Sequence, residues 1–361
     1  MTETPLLNIP SLNQSEKQSN SSVCPELQEW WALVYYIVPR YLNTVCVVGV
    51  LGNVFVLFTY SLHKGPLKIA EIYLTNLAVA DLIFLTCLPF WAENISNRFN
   101  WPFGSFLCRS ISASISLNMY TSIYLLVAVS ADRYLTFAHT LNHRELWSKA
   151  MTKGICLLIW FFCILLSTPA FLFRAVQDFP QWNVSACALD FPSPGWETAE
   201  RLARNAVGFL LPSSAIVLLN LSTIRSLQRT ARERRALGAK GCKRHRGTKA
   251  TRLIFTVVVM FLFCWTPHHF FLFLDTLYDT EVIQGCFWGE LINFGEQFAY
   301  MLATTNSCVN PVIYVFVGKY FRQKALEVFS QFVPCGFPLR WASFKEMSSH
   351  FSMVPVKSSL T

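Results

Sequence analysis

Charge is scarce in this sequence. Only 14% of its 361 residues are Asp, Glu, Lys or Arg, against about 25% in an ordinary soluble domain, while 53% are hydrophobic and the mean hydropathy is +0.37. That shortage excludes a chain solvated on every side. Other signatures are missing too. There is no H-E-x-x-H pair and no paired carboxylate inside an apolar run, which argues against an intramembrane enzyme. Residues 253–318 contain no Lys or Arg. Residues 1–32 contain no apolar run of the kind a cleavable leader needs, so the first apolar segment is expected to act as its own insertion signal.

What the sequence does have is long runs free of charge. A helix rises 1.5 Å per residue, so a hydrocarbon layer about 30 Å thick needs roughly 20 apolar residues per crossing. Runs of that length lie at Tyr41 to Leu62, Ser110 to Ala131, Gly154 to Phe173, Asn205 to Ile224, Leu253 to Leu274 and Gln297 to Val317. Ile72 to Phe90 adds another, interrupted only by Asp81. The expected fold is an all-α membrane protein of seven spans over residues 33–318. It follows an outer segment, 1–32, and precedes an amphipathic helix on the inner leaflet, 319–332, and a tail, 333–361. A β-barrel would instead show alternating segments of about ten residues.

Basic residues bias a loop toward the cytoplasm. Residues 225–252 carry eleven Lys and Arg against Glu233, and the chain from Gly318 carries six against two acids. Residues 275–296 carry five acids (Asp275, Asp279, Glu281, Glu290, Glu296) and no base, and residues 1–32 carry four acids and Lys17. The N-terminus is therefore expected outside and the C-terminus in the cytoplasm. The net charge of +9 sits in short loops facing lipid, which argues against nucleic acid as a partner.

Topology sorts the cysteines. Cys24, Cys108, Cys187 and Cys286 fall on the oxidising side and allow three pairings. Cys108–Cys187 is preferred, leaving Cys24–Cys286, with an unpaired Cys24 as the alternative. Sequons at Asn13, Asn20, Asn94 and Asn183 lie on the predicted outer side, Asn94 close to the membrane. Cys335, just past the amphipathic helix, is a palmitoylation candidate. An acid in mid-bilayer costs at least about 2.5 to 3.5 kcal/mol, so Asp81 marks a polar cavity. Ser122, Asn306, Ser307 and Asn310 are expected around it, offering oxygen to a sodium ion or to ordered water. A single deep acid and the lack of repeats weigh against a transporter or channel.

Several short motifs follow one another in order. They are Gly52-Asn53, Leu77-Ala78-Val79-Ala80-Asp81, Asp132-Arg133-Tyr134, Trp160, Pro212, Cys264-Trp265-Thr266-Pro267 and Asn310-Pro311-Val312-Ile313-Tyr314. As a set the sequence resembles the rhodopsin-like G-protein-coupled receptors. That resemblance implies a resting ion pair between Arg133 and Asp132, a hinge at Pro267 under Trp265, and repacking of Asn310 and Tyr314 on activation. Asn220 departs from it, standing where most such receptors carry Tyr. Ile115, about five turns before Arg133, replaces the acid of amine receptors, and Thr304 replaces the Schiff-base Lys of opsins.

The acidic outer rim points to a cationic ligand, and Trp91, Trp101, Tyr120, Trp196, Phe270, Phe271 and Tyr300 are candidates to line its cleft. Three stretches narrow the resemblance: Leu88-Pro89-Phe90-Trp91-Ala92-Glu93-Asn94-Ile95, Asn100-Trp101-Pro102-Phe103-Gly104 and Gly285-Cys286-Phe287-Trp288. The chain is similar there to the bradykinin receptors. The type 1 receptor, which prefers kinins lacking the C-terminal Arg, carries a Lys where this chain has Ser116. Ser116 and Trp196-Glu197 resemble type 2, so the resemblance implies an intact kinin whose terminal guanidinium meets Glu197.

Asp275 matches an acid used near the peptide's N-terminal Arg. Its companion is replaced by Asn293, with Glu290 and Glu296 nearby, and Arg204 stands where both mammalian subtypes carry Leu. The mixture implies a non-mammalian receptor for a bradykinin- or ornithokinin-like peptide in the plasma membrane. It also implies coupling to Gq/11, phospholipase C and calcium release, with Gi secondary and with arrestin and receptor kinases as further partners. Angiotensin- and chemokine-type receptors are the nearest alternatives.

Overall fold

The computed structural model describes residues 28–138, 148–180, 183–236 and 245–331. Among the described residues six helices are long and apolar enough to cross a membrane: Trp31–Leu62, Ile69–Ser96, Gly104–Phe137, Lys149–Leu172, Gly195–Thr230 and Leu253–Asp279. A seventh, Cys286–Phe316, is followed by the short helix Lys319–Ser330, bent away by 82°. The bundle therefore has the expected seven spans with a helix lying across the axis of the last. Its core fills with side chains such as Ile123, Ile216, Phe261 and Tyr314, all essentially inaccessible.

Prolines shape the spans because each removes an N–H and leaves the carbonyl four residues earlier without its helical donor. Pro311 frees the carbonyl of Ser307, which accepts instead from Asn53 Nδ2 of span one at 2.8 Å. Gly52 sits beside this contact, and a Cβ there would lie 3.0 Å from the Pro311 ring. Pro89 has a larger effect. Span two is not the single run Ile72 to Phe90 expected from the sequence but two helices, Ile69–Leu85 and Leu88–Ser96, broken at Thr86 and Cys87. Cys87 N–H bonds the carbonyl of Phe84 at 2.9 Å across the break.

Span five also holds a surprise. Its outer part, Pro194–Asn205, joins the membrane part, Leu211–Ala236, through a π turn at Ala206–Leu210. Gly208 in that turn packs on span three, where a Cβ would come 3.0 Å from the Tyr120 ring and 3.2 Å from the Met119 methyl. Helix therefore begins about three turns earlier than Asn205, in charged sequence. The pairs Glu197–Arg201 and Glu200–Arg204 support it at i,i+4 spacing. Between spans four and five a hairpin, β1 Arg174–Phe179 and β2 Val184–Leu189, places Val176 opposite Cys187. The Cys108–Cys187 disulfide fastens it to the outer end of span three.

Candidate functional site

Beneath this hairpin the outer ends of the spans enclose a cavity of about 240 Å³. Span three contributes Ser116 and Met119 and span two Trp91. Span seven contributes Asn293, Glu296 and Tyr300, and Trp265 of span six forms part of the lining. Trp31, near the start of span one, and Arg174 and Cys187 from the hairpin close other sides.

The acids expected at the outer rim meet arginines in the cavity wall. The charged groups lining the cavity are Arg174, Arg201 and Arg204 against Glu200, Asp275 and Glu296. The early start of span five brings the arginines in, and a search for charge-free runs could not anticipate them. Arg204 holds Glu200 through Nη2 at 2.5 Å and Nε at 3.0 Å. Arg201 is buried and gathers three acids: Asp275 at 2.5 Å, Glu197 at 2.7 Å, and Asp279. Arg174 donates to the carbonyl of Cys187 at 2.9 Å. Burial, with the positive charge of Arg204 nearby, pulls its guanidinium down to about 10, so it stays charged at neutral pH.

Of the residues expected to meet ligand, Trp91, Ser116, Arg204, Asp275, Asn293 and Tyr300 line the cavity. Four others do not. Trp101 is buried outside the cavity, its indole N–H on the carbonyl of Gly104 at 3.0 Å. Tyr120 lies under Gly208, and Phe270 points off the bundle, 55% exposed. Glu197 faces Arg201, and its neighbour one helical step on, Glu200, takes the lining position. Trp196 is likewise exposed on the outside.

Buried atoms of the lining lack hydrogen-bond partners among the described residues, notably Asn94 Oδ1, Asn293 Oδ1 and Tyr300 Oη. Leaving such an atom unpaired costs about 1 to 3 kcal/mol, so the cavity suits an occupant rich in donors and acceptors. Asn94 is 3% exposed, so its side chain faces the protein interior. Asn183 is exposed in the hairpin turn with φ +53°.

Below Trp265 lies a second polar cluster. Asp81 accepts from Asn118 Nδ2 at 3.1 Å, Ser307 Oγ at 2.8 Å and Asn310 Nδ2 at 3.0 Å. Asn118 was not among the expected partners, although it is one helical turn before Ser122. Ser122 and Asn306 make no hydrogen bond to Asp81. Ser122 Oγ, Asn118 Oδ1 and Asn306 Nδ2 are buried without partners among the described residues. The carboxylate with Ser122 Oγ and Asn118 Oδ1 fits a small hard cation.

At the cytoplasmic end Arg133 Nη2 lies 2.8 Å from Asp132 Oδ2, as expected, with Tyr134 next in sequence and partly buried. Asn220 Nδ2 donates to Ser130 Oγ at 3.2 Å, so the residue that departs from the usual Tyr ties span five to span three. Tyr314 is buried beside Phe321 of the surface helix.

Comparison with known proteins now bears on this arrangement. Residues 52–314 match the family described as 7 transmembrane receptor (rhodopsin family). The B1 bradykinin receptor of Homo sapiens is 44% identical over 331 residues, 91% of this chain and 93% of that protein. Those of Chlorocebus aethiops and Rattus norvegicus are 44% and 43% identical, covering 92% and 90% of this chain and 94% and 99% of theirs. The chain belongs to the bradykinin receptor family of rhodopsin-like receptors. It is a receptor, not an enzyme. Within this receptor Cys286 is disulfide-bonded; Cys24, Cys335, Asn13 and Asn20 lie outside the described residues.

Proposed function

We propose that this receptor sits in the plasma membrane with its N-terminus outside and binds an intact, basic kinin of bradykinin or ornithokinin type. The observation that carries the reading is the Glu200–Arg204 pair in the cavity wall, with the neutral Ser116 in the same lining. A peptide ending in Arg presents a guanidinium and a carboxylate on one residue, and a carboxylate beside a guanidinium complements both. A kinin lacking that Arg would still offer a carboxylate to Arg204 but no guanidinium to Glu200. The B1 names of the relatives favour the shortened peptide as the second reading.

Peptide seated on Trp265 would bias the helix kinked at Pro267, and movement of span six would free Arg133 from Asp132 for the G protein. Gq/11, phospholipase C and calcium release form the expected route, with Gi secondary and arrestin and receptor kinases acting on the tail. A sodium ion held by Asp81, Ser122 and Asn118 would stabilise the resting arrangement. Calcium mobilisation in expressing cells tests the ligand, comparing intact kinin, the same kinin without its C-terminal Arg, and angiotensin. Response confined to intact kinin supports this reading; response only to the shortened peptide reverses it.

A further inference from the structure

Span one reaches further outward than its apolar run. The run begins at Tyr41, yet the helix extends over Gln28–Leu62, so Arg40 lies inside it with about three turns of helix before it. From Arg40 to Leu62 the helix rises roughly 33 Å at 1.5 Å per residue, close to a hydrocarbon layer about 30 Å thick. His63 and Lys64 follow Leu62 at the inner boundary. Arg40 therefore stands at the outer one, at the level of the lipid phosphates.

The side chain faces away from the bundle. Arg40 is exposed, as are Tyr36, Ile37, Thr44 and Val47 on the same side of the helix, while Val38, Leu42 and Val45 are buried on the other. Its guanidinium lies over the Tyr36 ring, 3.5 Å from the centroid, and Nη1 donates to the Tyr36 carbonyl at 2.7 Å. No carboxylate among the described residues pairs with it, and Nε and Nη2 have no acceptor among them. The ring thus fixes the plane of a cationic fork whose outer edge is unused.

An arginine on a lipid-facing surface is tolerated where it reaches the interface and finds an anion. The anion that every phospholipid carries at that depth is its phosphate, which a guanidinium engages through two parallel N–H bonds. Tyr36 suits the same plane, where aromatic rings with a polar tip accumulate. We propose that Arg40, braced on Tyr36, binds the phosphate of a membrane phospholipid at the outer end of span one. The site lies outside the ligand cavity, on the helix that carries Trp31 into it, and stands whichever peptide the receptor binds.

The test titrates the full receptor in detergent with phosphatidylglycerol and follows bound lipid by native mass spectrometry. Arg40→Gln should weaken one lipid site by about fivefold, the factor a basic residue contributes near an anionic membrane surface. Arg40→Lys should keep part of that affinity, since the charge remains and the fork is lost; this variant separates loss of charge from misfolding. Tyr36→Ala should weaken the same site, and Thr44→Val, one turn further along the same face, should not. Diacylglycerol with the same tails lacks the phosphate and should bind all of these proteins alike. Inorganic phosphate in excess should leave the lipid in place. Equal binding of phosphatidylglycerol by the unaltered receptor and Arg40→Gln would overturn the proposal. So would a matching loss of diacylglycerol, which would mean that the tails and not the phosphate are recognised. Displacement by inorganic phosphate would make this a site for a free anion and overturn the lipid assignment.

Discussion

Lys324 Nζ lies 2.8 Å from Glu71 Oε2, and both side chains are about nine-tenths buried. The same carboxylate oxygen accepts the backbone N–H of Lys68 at 2.7 Å, closing the first turn of span two. One acid thus caps a spanning helix and anchors the surface helix through its ammonium partner. Lys68 lies over the Tyr320 ring at 4.1 Å and adds a second tie.

Breaking a buried pair by removing one partner costs about 3 to 5 kcal/mol, because the remaining charge is left uncompensated. Lys324→Met should therefore lower the melting temperature of the solubilised receptor clearly. Glu71→Gln combined with Lys324→Met should recover much of the loss. Thermal unfolding of the three proteins checks this; an unchanged midpoint in the single variant would show that the pair contributes nothing.

Gly318 sets the 82° turn between span seven and the surface helix. A Cβ there would stand 2.4 Å from the backbone carbonyl oxygen of Tyr314, which cannot rotate away. Arg322 covers the carbonyls of Val315 and Phe316 at 3.0 and 2.7 Å, satisfying the end of the span. Gly318→Ala should cost about 1 to 3 kcal/mol, as overpacking does, whereas Gly154→Ala, where a Cβ meets nothing within 4 Å, should cost no stability. Melting temperatures of the two variants make the comparison.

Much of this architecture was readable because membrane burial writes itself into sequence as long apolar runs, and loop charge orients them. The inner landmarks, Asp81, Arg133, Trp265 and Asn310, were legible from their order along the chain. The outer site was less so. Stopping each span at its first charged residue discarded 194–204, the helix that brings Arg201 and Arg204 to the cavity. Alternating Glu and Arg at i,i+4 spacing was the available signal. Direction was equally hidden: Phe270 and Asp275 belong to one helix, yet only the latter faces inward.

The Cys108–Cys187 bridge closes a loop with a sequence separation of 79 and holds the hairpin over the cavity. Trp101 N–H bonds the carbonyl of Ser185 at 2.7 Å, so the loop after span two is tied to the same lid. Replacing both cysteines by Ala should remove roughly 2 to 5 kcal/mol and, by releasing the lid, weaken peptide binding more than G-protein engagement. Ligand affinity measured beside basal nucleotide exchange distinguishes the two. Equal loss of both would mean general unfolding.

Asp81 gives the last prediction. Its three hydrogen-bond donors come from spans three and seven, while Ser122 Oγ and Asn118 Oδ1 remain buried without partners among the described residues. A cation that binds only the folded protein stabilises it by mass action, and a carboxylate with neutral oxygens favours a small hard ion. Sodium chloride should therefore raise the melting temperature of the solubilised receptor above that in choline chloride at equal ionic strength. Asp81→Asn should erase the difference, since the amide keeps the side-chain shape but loses the charge and one of the two acceptor oxygens. Ser122→Ala should reduce it while leaving the Asp81 bonds to Ser307 and Asn310 in place. Sodium dependence that survives in Asp81→Asn would assign the ion to some other site and leave the cluster as a hydrogen-bonded network with water.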